Sequence, residues 1–75
     1  MIVTVNLMMK SGAALTAWHE TNATSPQDIH REIYPNIMLG ENNYWAHLYR
    51  NPDKKNGMTA VLLNEVAVIE VFRPE

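Results

Sequence analysis

Three histidines stand in this chain of 75 residues, at His19, His30 and His47. Imidazole is the commonest metal ligand and titrates, unperturbed, close to neutral pH. A zinc site needs three or four ligands converging at about 2 Å. The spacings of eleven and seventeen contain no local His-x3-His pair, so strand, helix and strand would have to converge, with Glu20 as an added carboxylate beside His19. The opposing expectation is three separate histidines at half-exposed positions. A histidine metal site is therefore the third reading, and no metal or cofactor is expected.

The carboxylates offer little more. Paired-carboxylate hydrolysis needs two carboxyls about 5–9 Å apart across a groove. Asp28 and Glu32 lie four apart, where two like charges on a helix repel mildly. Glu65 and Glu70, five apart along a strand, fall on opposite faces. No nucleophile elbow, Ser-His-Asp order or phosphate-cradling glycine loop occurs. With no cysteine, disulfides, thiolate metal sites and thiol catalysis are absent. The expectation is a protein that is not an enzyme.

Rings and cations give the stronger pattern. Trp45, His47 and Tyr49 alternate onto one face of a segment, and Arg50, Lys54 and Lys55 follow them. Bases stack on such rings while phosphates meet such cations, which makes a small single-stranded nucleic-acid binder the second reading. The bland reading is core packing, because large rings dominate small cores. Met8 and Trp18 mark a second candidate apolar patch, and methionine is common at adaptable protein-binding surfaces. Six basic against eight acidic residues, a net charge of −2, weigh against a nucleic-acid partner.

These side chains need elements to position them. Ile2–Met9 alternates, with Val3, Val5, Leu7 and Met9 on one face and Thr4, Asn6 and Met8 on the other, so it reads as a half-buried strand. Ala13–His19 reads as its hairpin partner. A three-residue loop, Lys10-Ser11-Gly12, with Gly12 left-handed, pairs Val3 with His19, Val5 with Ala17 and Leu7 with Leu15. A two-residue loop would slip the register by one and put Trp18 beside Val5. Ser25 caps a helix over Pro26–Tyr34, with proline at its first position, Asp28 at its positive end and Ile29 and Ile33 pointing together. Pro35 ends it.

Asn36–Asn43 reads as a short strand or packed loop. Tyr44–Arg50 and Met58–Leu63 form a second hairpin across the turn-rich Asn51–Gly57. Val66–Phe72 is the last strand, with Val66, Val68 and Phe72 on one face. Both its faces are apolar apart from Glu70, which predicts a central or doubly covered strand rather than a solvated edge. Pro74 stops pairing.

The order β-β-α-β-β-β predicts one small α+β domain over residues 1–75: an antiparallel sheet with one short helix packed on one face, or a small curled sheet approaching a barrel. No apolar run approaches the ~20 residues of a membrane span. The first residues carry no leader pattern, so a cytoplasmic protein is expected. One short helix cannot cover so many apolar strand faces. The first functional reading is therefore a non-enzymatic protein-interaction module, an adaptor, accessory subunit or inhibitor of a larger machine, with self-association into a dimer as the default. Phages and other mobile elements often encode such small free-standing proteins. The candidate contact residues are Trp45, His47, Tyr49, Arg50, Lys54, Lys55, Met8 and Trp18.

Overall fold

The computed structural model describes residues 1–34 and 45–74. The described residues form β1 (Ile2–Met9), β2 (Ala14–Glu20), α1 (Pro26–Ile33), β3 (Trp45–Tyr49), β4 (Met58–Leu62), a 3-10 turn (Leu63–Glu65) and β5 (Val66–Phe72). The strands make one antiparallel sheet in the order β4-β3-β2-β1-β5, not closed into a barrel. The expected short element at Asn36–Asn43, and Tyr44 at the head of the third strand, lie outside the described residues.

The first hairpin follows from its loop. Val3 pairs with His19, Val5 with Ala17 and Leu7 with Leu15. Met9 N–H donates to Ala13 O at 2.8 Å, and Gly12, at φ +95°, donates to Met9 O at 2.9 Å. That φ is open to glycine and strained for a side chain. Register then decides the faces: Val3, Val5, Leu7 and Ala17 are buried on one side, with Ala46, Leu48, Val61 and Leu63.

Helix α1 covers that side. Ser25 Oγ accepts from Asp28 N–H at 3.1 Å, and Pro26 occupies the first turn, where its missing N–H costs nothing. Ile29 and Ile33, four apart, are buried among the strand residues. Eight residues would not hold a helix alone in water, so this apolar docking stabilises it.

Two expectations about the last strand are corrected. β5 lies at an edge: it pairs with β1 on one side and, among the described residues, with nothing on the other. Its double apolarity reflects core packing on one face and exposure on the other, not enclosure. A bulge also breaks its period, since Met8 pairs with Val68 while Met9 pairs with Val66. The extra residue takes Val66 off the face of Val68 and Phe72 and packs it against the core.

Chain continuity imposes curvature. β4 and β5 are the two edges of a five-stranded sheet, so four spacings of about 4.8 Å would set them roughly 19 Å apart if it were flat. From Leu62 to Val66 the chain advances four residues, a reach of about 14 Å at most. The sheet therefore curls at that end, with the core and α1 in its concave side. Lys10 N–H donates to Glu65 O at 2.7 Å and pins the turn to β1.

Candidate functional site

The convex side of the sheet has no described element over it. Successive Cα partners Met58–Tyr49, Tyr49–Trp18, Trp18–Thr4 and Thr4–Phe72 form one row across all five strands. Alternation puts all five side chains on the side away from α1. Met58 and Phe72, at the two ends, keep 50% and 49% of their surface exposed. Trp18 and Tyr49 are opposite each other at its centre and half-buried. Trp45, the most exposed large apolar residue among the described residues at 54%, lies one step along β3 from His47, opposite Leu62.

A polar strip borders the row. Asn6 pairs with Thr16 and with Glu70, and Thr16 Oγ1 donates to Asn6 Oδ1 at 3.0 Å. Beyond it, Ala14, Met8 and Val68 form a second apolar band. Met8 and Trp18 thus share a face without forming one patch. Met8 lies four positions along β1 from Thr4, the partner of Trp18, which is about 13 Å of strand.

The cations behave unequally. Lys54 Nζ donates to Glu20 Oε2 at 2.7 Å, fastening the β3–β4 loop to the end of β2. Hydrogen bonding and charge from Lys54 hold the Glu20 carboxyl below its ordinary value, and Glu20 raises the Lys54 ammonium. Lys54, at φ +62°, is held in a structured loop in which Asn51 Nδ2 donates to Lys55 O and Lys55 N–H donates to Asp53 Oδ1. Arg50 and Lys55 are exposed.

The histidines separate. His19 Nε2 lies 2.8 Å from Glu32 Oε1, linking β2 to α1 on the concave side. That hydrogen bond, with the Thr21 hydroxyl adding to it, keeps the Glu32 carboxyl below its ordinary range. His47 is exposed on the convex side, while His30 borders a groove between α1 and β5. No three metal-capable side chains converge among the described residues.

Sequence reasoning missed Phe72 and Val68 as members of this face, and Glu20 and Glu32 as partners of Lys54 and His19. The parity of β5 placed Val68 with Phe72. Only the non-local β1–β5 pairing puts them in line with Trp18. Comparison with protein-family models, curated proteins and solved structures finds no match. Among the described residues no helix is long and apolar enough to cross a membrane.

Proposed function

We propose that the chain is a non-enzymatic protein-interaction module, an adaptor, accessory subunit or inhibitor that docks on a larger protein through the convex face of its sheet and self-associates as a dimer. The observation that carries the reading is the row Met58–Tyr49–Trp18–Thr4–Phe72, apolar at four of five positions and half-exposed at both ends. Contiguous exposed apolar surface of this kind marks interaction sites, and aromatic residues with methionine are enriched at protein interfaces.

The nucleic-acid reading draws on Arg50 and Lys55 beside Tyr49. It is weakened by Lys54, whose charge is neutralised by Glu20, and by Glu20 and Glu70 in β2 and β5 of the same sheet. The test is photo-crosslinking in the native host, with a photoreactive side chain at Met58 or Phe72 and a control at exposed Gln27 on α1. Discrete protein adducts at the two face positions and none at Gln27 are expected. Equal labelling at all three, no adduct at all, or adducts with RNA or DNA alone would sink the proposal.

A further inference from the structure

Among the described residues the outer edge of β5 is unpaired, which makes it a second surface, distinct from the convex face. The direction of its backbone groups follows from the first hairpin. Met9 N–H donates to Ala13 O, and Thr21 N–H donates to Met1 O. Odd-numbered residues of β1 therefore bond to β2, and by the alternation of an antiparallel ladder the even-numbered ones turn to β5. Their partners there are Val68, Glu70 and Phe72, so the N–H and C=O groups of Ile69 and Val71 point away from the sheet. The seven-residue edge VAVIEVF is apolar apart from Glu70 and carries no lysine or proline; the bulge at its start is the one blunting device it has, and Val68–Phe72 beyond it are regular.

We infer that β5 is the self-association edge, on which a second copy of this chain adds its own β5 antiparallel, with Ile69 opposite Ile69 at the two-fold axis. This rests on the self-association proposed above and assigns its surface. One observation favours a second copy as the occupant, and two more set its register. First, the strand is electrically polar, with Glu65 at its start and Arg73 just past its end. Arg73 Nη1 donates to Thr24 O at 3.0 Å in its own chain, and antiparallel pairing sets that positive end beside the other copy's glutamate, whereas parallel pairing would stack like charges. Second, a two-fold axis at Glu70 would oppose two carboxylates at about 4.5 Å between Cα atoms, which is destabilising. An axis at Ile69 places Glu70 beside Val68 instead. Third, an axis at Ile69 sets Val71 of each copy opposite Ala67 of the other. Val71 packs against its own core, and Ala67 lines an apolar groove of about 310 Å³ with Val66, Ile69, Tyr34, His30 and Arg31, so the small residue leaves space beside the incoming strand.

The two-fold runs normal to the sheet, so both convex faces lie on the same side of the dimer. The assembly would present two aromatic rows to one partner surface, and avidity between them would depend on the partner's own symmetry.

The absence of cysteine makes single-cysteine chains clean probes. Val68 and Glu70 are exposed, so V68C and E70C leave the core intact. An axis at Ile69 makes them a directly facing, non-hydrogen-bonded pair, within disulfide reach. We expect V68C mixed with E70C to form a disulfide dimer under mild oxidation, and neither to form one alone. Light scattering of the unmodified chain should give twice the chain mass. Val71→Pro, which removes an outward N–H and none that serves β1, should restore the single mass with the circular dichroism spectrum kept. Self-linking of E70C or V68C alone overturns the register. A dimer with no cross-link in the mixture overturns the edge and leaves self-association standing. A monomeric mass overturns both, while the convex-face reading is still judged by its own cross-links.

Discussion

At the scale of single residues, the hydrogen bond between His19 and Glu32 makes the sharpest claim. The Glu32 carboxyl is held below its ordinary value of 4.5 by the His19 hydrogen bond. A depressed carboxyl stabilises the fold above its unfolded pKa, and that contribution disappears as pH falls through the folded pKa. The carboxylate side chain is 42% exposed, so solvent screening limits the effect to about 0.5 kcal/mol. Glu32→Gln should therefore lower the melting temperature slightly at pH 7 and flatten its fall below about pH 4.5 relative to the parent. Parallel melts across pH 3–7 with identical slopes would refute this. Glu32 was legible on the helix, but not as the partner of His19. The two residues are thirteen apart, and no local pattern records how a helix sits on a strand. Gly12 was legible because its constraint is local: a three-residue hairpin loop requires one left-handed residue, and the φ of +95° is found there.

Elements divide along the same line between local and non-local information. The hairpin register, the Ser25 cap and the Ile29–Ile33 face were readable because each depends on neighbours within a few positions. The place of β5 was not. Its composition cannot distinguish a strand buried on both sides from an edge strand that packs one face and exposes the other. The bulge opposite Met8 and Met9 also has no residue signature in Val66-Ala67. Trp45, His47 and Tyr49 were correctly placed on one face by alternation. Their alignment with Trp18 and Phe72 needed the sheet order. For α1 the docking argument has a direct test. Ile29 is fully buried, so Ile29→Ala should cost about 2–4 kcal/mol of stability, measured by urea unfolding. A loss under 1 kcal/mol would mean that the helix does not rest on its apolar face.

For the whole molecule, two surfaces carry the functional proposals, and they differ in kind. The convex face offers side chains, whereas the outer edge of β5 offers backbone groups, so a single substitution can disable one and spare the other. What shapes both is the short Leu63–Glu65 link between opposite edges of the sheet. It works as a drawstring: its brevity, rather than any side chain, sets how deep the bowl is in which α1 rests. Four glycine or serine residues inserted between Asn64 and Glu65 should slacken it. The closure entropy lost would be small, about 0.6 kcal/mol per doubling of loop length. Hydrogen exchange should nonetheless quicken at Ile29 and Ile33, while the β1–β2 hairpin keeps its protection. Unchanged exchange in α1 would show that the bowl holds its own form. If the string is real, evolution could retune the spread of the outer aromatic row by changing the length of a turn that touches none of it.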